Sequence, residues 1–356
     1  MKILLVSDLW LPHASGLVTA LQELVAELQA AGHAVEVIHP GRFPAWAVRR
    51  LGWAGGAPVV WCPGARLDSL MRRARADAIH LATEGPLGWS ARRYCLRHRL
   101  NFTTSVHTRY PEILQARWGL PPRWTLAVLR RFHAPSSGVM VPGRSVADLL
   151  SARGFSAVRE WTQGIDLRLF RFSPEPVPFE GLGPLAHPVS LYVGRLTAEK
   201  SVTDFLELDV PGSKVVCGDG PLAAEWRERY PGAHWLGPLP RHQLAALYAA
   251  ADVLVFPSRS ETFGHVMLEA LACGTPVAAY PVAGPLEVLG ASGAGALAED
   301  LGDAWHEALR VPRAVARERA RQFGWRQAAE LFVQHLAVPA QAPFTRLSQK
   351  YSYSAE

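Results

Sequence analysis

Cysteine is scarce in this chain. Cys62, Cys95, Cys217 and Cys273 are scattered, with no Cys-x-x-Cys pair, so neither a disulfide framework nor a zinc-site spacing is present. Long hydrophobic runs are lacking too: no apolar stretch reaches the ~20 residues that a membrane-spanning helix needs. The opening "MKILLVSDLW" has one Lys, a very short apolar run and then Asp8. It lacks a small-residue cleavage site and does not read as a signal peptide. No Asp-x-Asp-type acidic cluster stands in a metal-binding context. Together these absences predict a protein of the reducing cytoplasm that works without a metal.

What is present is a well-packed composition. Of 356 residues, 49% are hydrophobic and 19% charged, with 30 Gly and 28 Pro. That length exceeds one ordinary core and predicts about two domains. The net charge of +6 is unevenly spread: residues 1–168 hold 21 Lys and Arg against 11 Asp and Glu. The excess clusters in "RRARAD" (72–77), "ARRYCLRHR" (91–99) and "LRRFH" (129–133). Two readings stand: an Arg-rich solvated surface, or a face that meets an anionic lipid headgroup surface or a phosphorylated acceptor. No helix-turn-helix, zinc-finger or RNA-motif pattern accompanies the charge, so nucleic acid is not an expected partner.

Along the chain, short apolar runs alternate with amphipathic stretches. "KILLVSD" (2–8) reads as a buried strand, and "LVTALQELVAELQAAGH" (17–33) as a helix closed by Gly32. Further strands are expected at 34–40, 58–64, 78–82, 102–108 and 138–143. Apolar strands that do not alternate, joined by helices, argue for a parallel sheet covered on both faces. The aperiodic, Pro/Gly-rich "FSPEPVPFEGLGPLAHP" (172–188) reads as a linker. The pattern then restarts, with strands at 189–196, 214–220, 233–239, 251–258 and 275–282. The expected fold class is α/β, with two doubly wound, Rossmann-like domains. The first takes residues 1–168 and the second 169–334, with a final segment, about 335–356, that could return to the first. Such sheets bind ligands at the carboxyl ends of their strands, so a cleft between two facing domains is the default site.

The stretch "SRSETFGHVMLEALACGTPV" (258–277) holds Glu261 and Glu269. A buried strand ends at Pro257 and a polar turn follows. Gly264 lets the backbone approach a ligand, and a short helix runs to about Ala272. Its first N–H groups make an anion site, and the two carboxylates suit vicinal hydroxyls. Sixty residues earlier, "YVGRLTAEKSV" (192–202) places Arg195 and Lys200 after a strand. Two such cations can neutralise a diphosphate without a metal. "VPGRS" (141–145) and "TQGIDLRLF" (162–170) add turns at the expected domain edge.

These segments, with "GDGPL" and "ADVLVFPSRSETFGHVMLEALACGTPV", resemble the GT4 family of retaining glycosyltransferases, whose fold is GT-B, two facing Rossmann-like domains with an interdomain cleft. The resemblance covers nearly the whole chain. In the first half, "PHASGLVTALQELVAELQAAGHAVEVIHP", "IHLATEGPLGWSARRYC" and "FTTSVHTRYPE" are similar to a branch containing GDP-mannose-dependent α-mannosyltransferases and glycolipid synthases. One departure stands out. The branch has Asn-Gly-Val-Val-Arg-Thr where this chain has Ser15-Gly16-Leu17-Val18-Thr19-Ala20, so the Arg contact is lost at Thr19.

The resemblance implies an enzyme that moves a hexose, mannose favoured, from a nucleotide-diphosphate sugar, GDP- or UDP-linked, to an acceptor hydroxyl on a lipid or glycan. Arg195 and Lys200 would hold the diphosphate as it leaves, Glu261 the sugar hydroxyls, and Glu269 the ribose. Gly194 and the backbone of Phe263, Gly264 and His265 would lie against donor atoms. Gly16 would approach the diphosphate, and His107 would line the sugar and acceptor side. Glu84 is given a structural or acceptor-positioning role. No cofactor or metal is implied. Peripheral contact with the inner face of a membrane, through the basic first domain, is consistent with such acceptors. Two alternatives stay open: a non-transferring relative such as a nucleotide-sugar epimerase, and a non-catalytic sugar-nucleotide-binding subunit.

Overall fold

Strands that are apolar on both faces build two parallel sheets. The computed structural model describes residues 1–11, 16–51, 57–107, 114–115, 118–259, 261 and 263–336. In chain order the strands are β1 (Lys2–Val6), β2 (Ala34–Ile38), β3 (Val48–Leu51), β4 (Ala57–Val60), β5 (Ala78–Leu81), β6 (Thr103–Ser105), β7 (Val139–Val141) and β8 (Val158–Glu160). Then follow β9 (Val189–Val193), β10 (Ser213–Cys217), β11 (His234–Gly237), β12 (Val253–Phe256), β13 (Val277–Ala279) and β14 (Gly295–Leu297). The first six-stranded sheet has the order β2-β1-β5-β6-β7-β8 and the second β11-β10-β9-β12-β13-β14. Every pairing within them is parallel. The α/β class and the doubly wound topology are as expected.

Period-two alternation sends successive side chains of a strand to opposite faces. On β1, Leu4 and Val6 enter one apolar cluster, while Ile3 and Leu5 enter another. On β9, Val189, Leu191 and Val193 face one cluster and Tyr192 a second. Both faces of each sheet are therefore buried, which accounts for strands that read as continuous apolar runs.

The chain divides into two compact units. One contains residues up to Thr162 together with the described residues from Trp325 onward, and the other is Gln163–Gly324. The divide falls at 162/163 rather than 168/169. The helix Trp325–His335 belongs to the first unit, although its sequence position placed it in the second domain. Its apolar stripe of Trp325, Ala328, Ala329 and Phe332 packs with Ile3, Leu5, Leu24 and Leu28. Trp161 Nε1–H donates to the Ala328 carbonyl at 2.9 Å. Residues 337–356, expected to return to the first domain, lie outside the described set.

The segment expected as a sheet strand at 58–64 differs. β4 pairs antiparallel with β3, in register Val48–Val60, and the two form a separate two-stranded ribbon. Sequence reading passed over three strands. β3 and β8 carry charge in place of an apolar run (Arg49 and Arg50; Arg159 and Glu160), and β14 is only three residues long, Gly-Ala-Leu.

Candidate active site

In the second sheet the chain winds outward from β9 through β10 to β11, then crosses to β12 on the other side of β9. The strand order reverses between β9 and β12, the place where open α/β sheets bind ligands. These two strands share only the register pairs Val253–Ser190 and Leu254–Leu191. Beyond them, toward the carboxyl ends, they part. Arg195 and Lys200 follow β9, and Glu261 follows β12.

The two loops meet through a charge pair. Lys200 Nζ lies 2.6 Å from Glu261 Oε2, with the side chains 23% and 19% exposed. Glu261 is also held from behind: a Cβ on Gly284 would sit 3.1 Å from both Cβ and Cγ of Glu261. Arg195 is exposed, and its carbonyl accepts from the Tyr192 hydroxyl at 2.9 Å. Burial raises the pKa of that phenol; Glu261 and Glu199 raise it further and Arg195 opposes them. Arg195 and Glu261 thus act electrostatically on one group.

Close backbone packing sets the shape of these loops. Gly194 N–H donates to the Cys217 carbonyl at 3.0 Å, Leu196 N–H to Asp219 at 3.0 Å, and Gly218 N–H to Gly237 at 2.9 Å. A Cβ on Gly218 would lie 1.9 Å from the Gly194 carbonyl oxygen, and one on Gly220 2.3 Å from that of Leu196. "YVGRL" and "GDGPL" are two loops pressed backbone to backbone.

The helix His265–Cys273 begins at Gly264, whose left-handed φ of +87° turns the chain out of the polar loop. An L side chain is strained there. His265, the first helical residue, places Nε2 against the amide oxygen of Gln163, in the "TQGID" turn. Burial lowers the His265 pKa to about 4; Glu261 opposes the shift and Arg241 adds to it. The ring is neutral at working pH, and an acceptor opposite Nε2 fixes the single ring proton on that nitrogen. Phe263 is buried and edge-on to His265 at 5.6 Å, so only its backbone can face a ligand.

Glu269 lies one turn further in. It accepts from the buried Tyr248 hydroxyl at 2.9 Å. Burial raises its carboxyl to about 7, against the downward effects of Tyr248 and Arg241. Arg241 therefore acts on both His265 and Glu269 while its guanidinium stacks over Phe170 at 5.5 Å. Sequence reading missed Gln163, Arg241 and Tyr248 as site residues. The only signal was Gln163 within the already noted "TQGID".

The second unit thus holds Gly194, Arg195, Lys200, Glu261, Phe263, Gly264, His265 and Glu269. Gly16 and His107 lie in the first. Gly16 opens the helix Gly16–Ala30, exposed, with open space where a Cβ would stand. His107 follows β6 and contacts Ser105 at 2.7 Å. Glu84, in the turn after β5, has its side chain 7% exposed and Oε1 3.3 Å from His133 Nε2. Ser15, Ser260 and the segment 108–113 lie outside the described residues. Among the described residues no group of three or more His, Cys, Asp or Glu could hold a metal ion.

Residues 14–169 match Glycosyltransferase Family 4, and residues 179–311 match Glycosyl transferases group 1. The chain is a family 4 glycosyltransferase. It is 28% identical over 336 residues to the GDP-mannose-dependent alpha-mannosyltransferase of Mycobacterium tuberculosis, covering 88% of this chain and 87% of that one. With the alpha-monoglucosyldiacylglycerol synthase of Streptococcus pneumoniae it shares 26% identity over 326 residues, 79% of this chain and 71% of the other. Sucrose-phosphate synthase from Thermosynechococcus elongatus superposes with a TM-score of 0.71 at 21% identity, over 94% and 97% of the two chains. The fold of this glycosyltransferase is GT-B, and it is a retaining hexosyltransferase.

Proposed function

We propose that the enzyme moves mannose from GDP-mannose to a hydroxyl of a lipid or glycolipid. The observation that carries this reading is the Lys200–Glu261 pair, a cation for the diphosphate beside a carboxylate for the sugar hydroxyls, at the sheet's switch point. Arg195 and Lys200 meet the charge that develops on the departing diphosphate. Fixed cations in that place act in the transition state. The bond from the anomeric carbon to the phosphate oxygen breaks. The acceptor oxygen bonds to that carbon on the same face, and its proton passes to the phosphate leaving it. No carboxylate nucleophile and no metal is assigned to the step. Glu269 takes the ribose, and the Gly264–His265 backbone lies against sugar and phosphate. From the first unit, His107 serves the sugar and acceptor side and Gly16 the diphosphate. Mannose is favoured over glucose by the branch motifs and by the relatives named for GDP-mannose.

The Glu269 carboxyl supplies a test. With a pKa of about 7, it is largely protonated below neutrality and then offers ribose hydroxyls a poorer acceptor. Hydroxyl donors favour the ionised form, so donor binding releases a proton and tightens as pH rises. In thermal-shift titrations, GDP-mannose is expected to raise the unfolding temperature more at about pH 8 than at about pH 6, and more than UDP-glucose at either. Glu269→Gln should flatten the pH dependence. A larger shift with UDP-glucose would overturn the donor assignment, and a flat wild-type profile would overturn the role of Glu269.

The lipid side rests on the first unit. The helix Pro122–His133 carries Arg123, Arg130 and Arg131, and no acidic residue stands between Glu112 and Asp148. Trp124 on this helix is 64% exposed, and Trp118, Leu120 and Val128 beside it are also exposed. On the β3–β4 ribbon and its approach, Trp46 is 84% and Trp61 64% exposed, near Arg49 and Arg50. Exposed tryptophan among arginines suits the interface of an anionic bilayer. No described helix is long and apolar enough to cross one; the contact proposed is peripheral, at the cytoplasmic face. Vesicles rich in anionic phospholipid should sediment the protein, and Trp124→Glu should weaken this severalfold. Equal sedimentation with uncharged vesicles would contradict it.

A further inference from the structure

A line of hydrogen bonds runs from the interior of the first sheet to its carboxyl edge. His80 on β5 has no exposed surface. Its Nδ1 is 2.9 Å from Thr103 Oγ1 and its Nε2 3.1 Å from Ser105 Oγ, both on β6. Ser105 Oγ lies in turn 2.7 Å from Nε2 of His107, which is partly exposed just past the strand. A buried histidine satisfied by two hydroxyls needs no functional explanation. The link onward to His107 does, because it joins a core group to one at the strand end where ligands of parallel sheets bind.

Proton counting shows what the line does. Burial lowers the His80 pKa to about 3, with His107 and His133 adding to the effect, so the ring is neutral and carries one proton. The Ser105 hydroxyl has one proton and two lone pairs. It donates to His80, to His107, or to the Ala82 carbonyl, 3.4 Å away. If it donates to His80 or Ala82, His107 must donate from Nε2. If it donates to His107, that nitrogen must be bare. The two arrangements that also serve a backbone carbonyl, that of Ile79 from Thr103 at 3.5 Å or that of Ala82 from Ser105, both place a proton on Nε2 of His107, so its bond to Ser105 sets the ring's orientation and its tautomer.

The helix Trp325–His335 braces both ends. Its Phe332 lies edge-on to His80 at 4.9 Å and tilted against Trp161 at 5.2 Å. Trp161, tied to the same helix through Ala328, lies edge-on to His107 at 6.0 Å and 80°.

We infer that Ser105, with His80 behind it, is a positioning residue for transfer: it fixes the ring orientation and tautomer of His107. This rests on the reading of His107 as a residue of the sugar and acceptor side. The test is the nitrogen NMR spectrum of 15N-histidine-labelled protein, with the His107 signals assigned by their loss in His107→Gln. In the wild type the two His107 nitrogens should appear as one protonated and one bare, without averaging. In Ser105→Ala they should move toward the averaged values of a free imidazole. The kcat of that variant should fall about ten- to a hundredfold, taking as scale the loss seen when a partner that orients a metal-ligating histidine is removed, with the donor KM within about twofold. Averaged wild-type values, or shifts unchanged in Ser105→Ala, overturn the inference whatever the activities are, and the wild-type spectrum decides even if the variant does not fold. Full turnover by His107→Gln would instead overturn the reading of His107 and, with it, the relay's part in transfer.

Discussion

Lys200→Ala is expected to lower kcat by roughly 10²–10³-fold, the loss typical when one preorganised group facing developing transition-state charge is removed. The fold should survive. Lys200 closes a short 3-10 turn, Ala198–Lys200, that contributes no buried residue. Without ligand, its ammonium sits on Glu261 at 2.6 Å. Removal therefore also leaves a largely buried carboxylate without its cation. The donor KM should consequently rise as well, since Glu261 then faces the incoming diphosphate without the Lys200 ammonium beside it. Lys200→Arg keeps the charge but not the compact head, and should recover only part of the rate. If the pair acts as one unit, Lys200→Ala in a Glu261→Ala background should cost far less than it does alone. Steady-state kinetics of the four proteins measure this. Full additivity would mean that the pair is not the unit described.

Gly218→Ala is expected to destabilise the second unit by roughly 2–5 kcal/mol, the sum of an unfavourable backbone conformation and an overpacked contact. Gly218 has φ +141°, and its added Cβ would meet the Gly194 carbonyl oxygen at 1.9 Å. The obstacle is backbone, so no rotamer change relieves it. The loops after β9 and β10 must separate, and Arg195, next to Gly194, moves with them. Urea unfolding should show a midpoint well below that of the wild type, and GDP-mannose should no longer raise the unfolding temperature. Gly232→Ala is the control, because no atom lies within 4 Å of its added Cβ. Equal stability of the Gly218 variant and the wild type would show that the two loops are not pressed together.

Much of the placement of this candidate site was legible because its residues lie in the chain where the fold needs them. Arg195 and Glu261 follow apolar runs that become β9 and β12, adjacent strands at the switch point. Gly264 marked the turn into a helix, and its φ of +87° explains why glycine stands there. The illegible part is tertiary. Arg241 and Tyr248 sit on an ordinary amphipathic helix, Arg241–Ala250, and nothing local announces that they reach His265 and Glu269. The helix Trp325–His335 carries an apolar stripe that would fit either sheet, so its return to the first unit follows from partners such as Ile3 and Leu24. The strand expected at 58–64 shows the same limit: an apolar run gives a strand but not its neighbour, and β4 found β3.

The most direct measurement of the central claim is transfer itself. The wild-type enzyme is incubated with GDP-mannose and vesicles of anionic phospholipid and glycolipid, with and without a chelator. Proton NMR then reads the anomeric configuration of the earliest product. The account predicts an α-mannoside formed one-for-one with GDP, at a rate the chelator leaves unchanged. A β-linked product, release of free mannose with no acceptor consumed, or activity lost on chelation and restored by a divalent cation would contradict it.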